Sequence, residues 1–292
     1  MDETGINKEL EALVNLIDEP DELFYKQIRD RILIYGKAAI PYLESAWENN
    51  LQPLAQKRIE VLLHKIQFET LCEELNNWYS LGGINLLMGY MLVSKYQYPG
   101  LDEQKIKKEL ERIKQDIWLE LNSGLTAFEK ARIVNNIFFT ENKFEAEKIE
   151  YITPLHYYLN NVIESRKGTH LSLGIIYLII SGQAELPVFG VDLPEHFLLA
   201  YMDTHTCMPG TAVSEAKVLF YIDPFNNGVF YRHNVIDTFL KQRNIEPKDT
   251  FYRPCSNIVI IRRLLLELFE TYKASGNTVK SGEIEVLLKV LK

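Results

Sequence analysis

The sequence predicts an α+β architecture: helices first, then one wholly apolar helix followed by an antiparallel sheet, then helices again. Three observations lead there. Apolar residues recur at helical spacing through residue 165. The stretch Leu171–Ile180 is apolar on every face, which describes a helix buried all round. Four short segments rich in β-branched and aromatic residues follow: Val188–Leu193, Phe197–Tyr201, Val218–Ile222 and Val229–Arg232. Asn226-Asn227-Gly228 is a hairpin turn signal between the last two.

Each element has its own local reason. Leu10, Leu13, Val14 and Ile17 repeat at helical spacing until Asp18-Glu19-Pro20-Asp21 breaks the run. A second helix places Phe24, Ile28, Ile32 and Leu33 on one side and closes at Tyr35-Gly36. A third carries Ile40, Leu43 and Trp47 and ends at Asn49-Asn50, and a fourth runs through Ile59, Leu62, Leu63 and Ile66. Short helices with one apolar stripe must stack to bury it. The stretch Gly36-Lys37-Ala38-Ala39-Ile40-Pro41-Tyr42-Leu43 resembles the second helix of a HEAT-type repeat, a cap or docking surface rather than a site of chemistry. Asp102 is a cap for a helix with Ile106, Leu110, Ile113, Ile117 and Leu121 on one face, and Thr126 with Glu129 has capping-box spacing. Gly276-Asn277 separates two helical runs in the tail. The expected domains are a HEAT-like helical domain over 1–72, the core with its helical lead-in over 73–250, and a helical, repeat-like C-terminal extension over 251–292.

Composition excludes several classes. Of 292 residues, 47% are hydrophobic and 25% charged, the balance of a globular chain rather than a disordered one. The formal charge of −8, without a block of like charges, argues against a nucleic-acid surface. No apolar stretch approaches the length that spans a bilayer, and the opening Met1-Asp2-Glu3-Thr4-Gly5 carries no secretory signal. Three scattered cysteines, Cys72, Cys207 and Cys255, suit a reducing compartment, so a cytoplasmic protein is expected. The sequence has no Gly-rich phosphate loop and no two-Cys zinc knuckle, so no cofactor is expected.

The chemistry-bearing residues surround the buried helix. Its first turn exposes unpaired N–H groups and a partial positive charge, and Thr169, His170 and Ser172 lie there. Pro194-Glu195-His196-Phe197 sets a histidine at the start of one strand, and Ile222-Asp223-Pro224-Phe225 sets a carboxylate at the end of the next. Helix-start nucleophile, strand-start histidine and following aspartate is the order of a cysteine-type triad.

Residues 125–233 resemble the transglutaminase-like superfamily, with its papain-type core, in the branch named for the bacterial SirB regulators. The resemblance rests on Tyr158-Leu159-Asn160-Asn161-Val162-Ile163-Glu164-Ser165-Arg166-Lys167-Gly168, then Leu171-Ser172-Leu173 and Ile176-Tyr177. It continues through Leu186-Pro187, Gly190-Val191, Pro194, His196-Phe197-Leu198 and Asp223-Pro224-Phe225. It implies catalytic roles for His196 and Asp223 and a cysteine two residues after Gly168, where this chain has His170. Glu195, where a glycine is usual before the histidine, and His156, where an asparagine is common, are further departures. Many members of the branch similarly lack the cysteine.

Three functions follow as expectations. The leading one is a pseudoenzyme, a peptide- or protein-binding or regulatory module without thiol chemistry, its oligomeric state open. The second is an amide hydrolase or acyltransferase with Ser172 as nucleophile, His196 as base and Asp223 as orienter. Ser172 lies about 200° round the helix from His170, so both cannot face one site equally. The third is a metal site from His170, His196 and Asp223. His205 and Cys207 are at most helpers, Thr169 is a helix cap, and Cys72 and Cys255 are expected as small buried apolar groups.

Overall fold

The computed structural model describes residues 3–50, 52–203 and 217–292, with side chains from residue 8. Two compact units emerge, Met1–Glu74 and Leu75–Lys292. In the first, α1 (Glu3–Val14), α2 (Glu22–Tyr35), α3 (Ile40–Asn49) and the start of α4 (Pro53–Ser80) enclose one core. Leu10, Ile32, Leu43 and Ile59 lie at its centre, fully buried. Asp21 caps α2 by accepting from the Leu23 and Phe24 amides. Two expected core positions differ. Phe24 and Trp47 are exposed, and Tyr25 takes the buried place beside Ile28, where the Arg58 guanidinium lies 3.7 Å over its ring.

The second unit starts with α5 (Leu86–Gln97), α6 (Glu103–Glu120) and α7 (Ala127–Asn135), which runs into a π-helical turn, Asn136–Glu141. Asp102 caps α6 and Thr126 with Glu129 forms the capping box of α7, as their spacing predicts. β1 (Glu145–Ala146) pairs in parallel with β2 (Lys167–Gly168), a two-residue ladder that bracketing helices hide from sequence patterns. Between them lies α8 (Leu159–Ser165).

α9 (His170–Gln183) is the central helix, with every residue from Leu171 to Ser181 buried. It packs on β3 (Val188–Leu193) and β4 (His196–Met202) of a four-stranded antiparallel sheet. β5 (Val218–Asp223) and β6 (Val229–Tyr231) complete the order β3-β4-β5-β6. The approach of α9 to the sheet depends on Gly174, where a Cβ would lie 2.7 Å from the Phe197 ring. At the β5–β6 turn, Gly228 adopts φ 75°, which a non-glycine side chain resists. α10 (His233–Gln242), α11 (Asn257–Ala274) and α12 (Thr278–Val290) follow, and α11 packs on α5, α9 and β3. Among the described residues no helix is long and apolar enough to cross a membrane.

Candidate functional site

The site is built where α9 begins. Thr169 is its cap, with Oγ1 accepting from the Ser172 amide at 3.1 Å. Ser172 Oγ reciprocates by accepting from the Thr169 amide at 2.8 Å. This capping box makes His170 the first residue of the helix. Its ring lies face to face with that of His196, centroids 5.4 Å apart and planes within 3°.

His196 opens β4 directly after the two-residue turn Pro194-Glu195, which sets Leu193 opposite it in the ladder. Glu195 holds φ 59°, the left-handed conformation that a glycine adopts without strain. Asp223 ends β5 and is 1% exposed. Its Oδ1 stands 3.0 Å from His196 Nε2 and also accepts from the Phe225 amide at 2.9 Å. Its Oδ2 accepts from Asn226 Nδ2 at 2.6 Å. Burial works to raise the carboxyl pKa, but the bonds from His196, Asn226 and Phe225 outweigh it and hold it below the usual range. An ionised Asp223 assigns the proton to His196 Nε2 and leaves Nδ1 as the basic nitrogen.

His170 is in the opposite state. Arg263 Nη2 lies 3.3 Å and Glu267 Oε1 3.5 Å from its Nε2; a guanidinium only donates, so in the shorter contact that nitrogen accepts, with the proton on Nδ1. Burial pushes its pKa down to about 3, and Arg263 and His196 push the same way. Arg263 itself donates to the carbonyl oxygens of Leu193 at 2.7 Å and His196 at 3.0 Å, and to Glu267 Oε1 at 3.0 Å. A second carboxylate, Asp192, also accepts from it. Burial raises the pKa of Glu267 against the opposing pull of Arg263. A cleft of about 370 Å³ opens beside His196 and Asp223, walled by Leu198, Tyr231, Ile236 and Phe239. A hollow of about 800 Å³ lies against Arg263 and Glu267. His170 lines neither.

A family model described as the transglutaminase-like superfamily matches residues 104–266, more than half of the chain. The chain belongs to the transglutaminase-like superfamily. It is similar to the UPF0162 protein YchA of Escherichia coli strain K12, at 27% identity over 190 residues, 64% of each chain. A UPF0162 protein of Xylella fastidiosa strain 9a5c is 26% identical over 156 residues, 52% of this chain and 51% of that one. F-box only protein 21 of Homo sapiens is 29% identical over 96 residues, 32% of this chain and 14% of that one. The chain thus spans less than two thirds of these curated relatives. No solved structure matches it.

Within this transglutaminase-like core the structure brings His196 and Asp223 together and sets His170 beside them. It does not bring Ser172 there. Ser172 is fully buried, and its hydroxyl is bonded to Thr169 at both ends, accepting from the amide and donating to the carbonyl at 3.3 Å. Helical rotation turns it away from His170. The proposed metal triad is corrected as well. His196 Nε2 is committed to Asp223 and His170 Nε2 to Arg263, and the rings stack instead of converging. Among the described residues no group of three His, Cys, Asp or Glu side chains is placed to hold a metal ion.

His156 caps its own turn, Nδ1 accepting from the Thr153 amide at 3.0 Å. Cys72 and Cys255 are free thiols of intermediate exposure, more open than the buried apolar groups expected, and burial pushes Cys255 up to about 12. His205 and Cys207 lie outside the described residues.

The residues that sequence reasoning missed are Arg263 and Glu267 on α11. Their signal was present: an i, i+4 charge pair inside the apolar run from Ile258 to Leu268, with side chains only 12% and 21% exposed.

Proposed function

We propose that this transglutaminase-like protein performs no thiol chemistry and binds a peptide or protein segment in the cleft beside His196 and Asp223. One observation carries the reading. The helix-start position of the triad is held by a neutral histidine whose Nε2 is occupied by Arg263, while the His196–Asp223 pair still faces an open cleft. A neutral imidazole that accepts from a guanidinium offers no thiolate. A cleft of about 370 Å³ with apolar walls and one oriented imidazole accommodates a side chain and hydrogen-bonds its polar tip.

The finer placement belongs to the same reading: the SirB-type branch, with HEAT-like helices ahead of the core as a docking surface. The ordered motif from Tyr158 to Phe225 and the stacked short helices of the first unit support it. The free thiols of Cys72 and Cys255, among the described residues, support a reducing, cytoplasmic setting.

The test uses the full chain and capped glutamine-containing peptides, followed by backbone amide shifts and by ammonia release. Expected are shifts at residues 193–198 and 223–239 without ammonia release or chain cleavage. Turnover that disappears in His196→Gln would overturn the reading, and so would the absence of any shift in the cleft.

A further inference from the structure

The π-helical turn Asn136–Glu141 begins directly after Asn135, and such wide turns in a helix often accompany functional sites. Here the turn brings two successive aromatic rings to one partner. The centroids of Phe138 and Phe139 lie 5.4 and 6.3 Å from that of Tyr177 on α9, a fully buried ring. The Tyr177 hydroxyl donates to Asn135 Oδ1 at 2.9 Å, and Asn135 Nδ2 donates to the Gly228 carbonyl at 2.7 Å. A carbonyl oxygen only accepts, so the amide has one orientation and both of its ends are engaged.

Gly228 closes the turn that carries Asp223. Its amide donates to the Asp223 carbonyl at 2.8 Å, while the Asp223 carboxylate accepts from Phe225 and Asn226 inside the same turn. Glycine is required there on two counts. Its φ of 75° resists a side chain, and a Cβ would lie 2.4 Å from Asn135 Oδ1. Asn135 itself borders, with Asn227, a hollow of about 410 Å³ distinct from the cleft beside His196.

On α9, Tyr177 follows His170 by seven residues, about 20° short of two full turns, so the two share one face. That face carries the ring stacked on His196 at one end and the hydroxyl that holds Asn135 at the other. One helix thus sets both neighbours of His196: His170 directly, and Asp223 through Asn135 and Gly228.

We propose that Asn135 is a positioning residue of the His196 site. By tying the Gly228 carbonyl to Tyr177, it fixes the Asp223–Gly228 turn against α9 and keeps Asp223 Oδ1 in line with His196 Nε2. It acts only through Asp223. The role concerns the site that the proposed function uses, and it rests on that reading. An asparagine that merely pinned a hairpin would stabilise the fold without governing the bond between Asp223 and His196.

The experiment measures exchange of the His196 Nε2 proton with water, by NMR of the full chain carrying isotope-labelled histidine. Asn135→Leu, neutral and of similar volume, is expected to speed exchange about tenfold or more, because the Gly228 carbonyl and the Tyr177 hydroxyl lose their shared partner. Tyr177→Phe keeps the ring and removes the anchoring hydroxyl, and is expected to act in the same direction by a smaller factor. Thr126→Ala is the control. It removes the cap at the other end of α7, and is expected to lower the melting temperature and leave the exchange unchanged. Unchanged exchange in a folded Asn135→Leu would overturn the proposal; where that variant does not fold, unchanged exchange in Tyr177→Phe would do so. A Thr126→Ala effect as large as theirs would also overturn it, since exchange would then follow stability alone. The measurement needs no ligand. Exchange that responds to Asn135→Leu in a chain whose cleft shows no peptide shifts would overturn the proposed function and leave the positioning of Asp223 standing.

Discussion

Replacing His170 with cysteine places a thiol at the first residue of α9, beside His196 and Arg263. A free thiol titrates near ~8.5. The helix N-terminus contributes ~0.3–1 kcal/mol toward the thiolate, about half a pKa unit at ~1.4 kcal/mol per unit. A guanidinium ~6 Å away adds ~3 kcal/mol at an effective dielectric of ~20. Glu267, ion-paired to that same guanidinium, cancels most of it. Burial opposes by ~1–2 units for a site that is not fully enclosed. The deciding contribution is His196, whose Nδ1 takes the proton while Asp223 holds the other side of the ring. With His196 supplying ~2–3 units, the midpoint falls near ~7, about 1.5 units below the free thiol. The thiolate fraction at neutral pH then rises ~15-fold, but its lower basicity removes a factor of ~5 in nucleophilicity. A single-pH rate would therefore show only a few-fold change, and the midpoint is the better readout. The assay is iodoacetamide alkylation from pH 5 to 10, resolved by peptide mass. Cys72 and Cys255, both pushed upward by burial, serve as slow internal controls. A midpoint at or above ~8.5 would refute the reasoning. So would a midpoint that fails to rise when His196→Ala is added, because the helix and Arg263 alone would then account for the shift.

The pH dependence of stability follows from His170, whose pKa falls from 6.5 to about 3 on folding. Between those values the unfolded chain takes up a proton that the folded chain refuses, so stability is lost as pH falls, by up to ~1.4 kcal/mol per unit. His170→Gln is expected to flatten that slope in urea titrations at pH 7, 6 and 5; an unchanged slope counts against the buried neutral histidine. Ser172→Ala is expected to cost about 1 kcal/mol of stability, the loss of a capping box, without moving the His196 resonances. A shift of His196 on that substitution would restore Ser172 to the site. Arg263→Met is expected to cost ~3 kcal/mol by leaving the mostly buried Glu267 carboxylate uncompensated. Adding Glu267→Gln should recover part of the loss in a denaturant double-mutant cycle, and strict additivity would show that the pair is not coupled.

The sequence was most legible where one periodicity ruled a whole segment. The four strands of the main sheet, the apolar helix α9 and the caps Asp102, Thr126 and Thr169 lie where their patterns place them. It failed where side-chain choice depends on distant elements. Phe24 and Tyr25 are both large and apolar in part, and Tyr25 is the buried one, with the guanidinium of Arg58, far along the chain, over its ring. The β1–β2 pair is two residues long, too short for any alternation to register. His196 and Asp223 were recoverable because each sits at a strand end, a position that spacing reveals. Arg263 offered only its i, i+4 pairing with Glu267 as a local signal, because its other partners lie 67 to 93 residues away on β3, β4 and α9.

That distant contact bears on whether the site is a decayed remnant. A buried ion pair is a poor source of stability, since apolar packing of equal volume often serves as well or better. Arg263 nevertheless spends its donors on Leu193 and His196 carbonyls, Glu267 and His170, side chains and backbone that all belong to the site. The physical effect of that cluster is specific. It fixes the β3–β4 turn against α11, and so fixes where the His196 ring stands relative to Asp223 and the cleft. It also keeps His170 neutral by supplying its acceptor nitrogen with a donor. An arrangement serving only the fold would need neither a positioned imidazole nor an open cleft beside it. On the function proposed above, the His196 ring is held by this cluster to meet a polar group, and His170 at the helix start is engaged by Arg263.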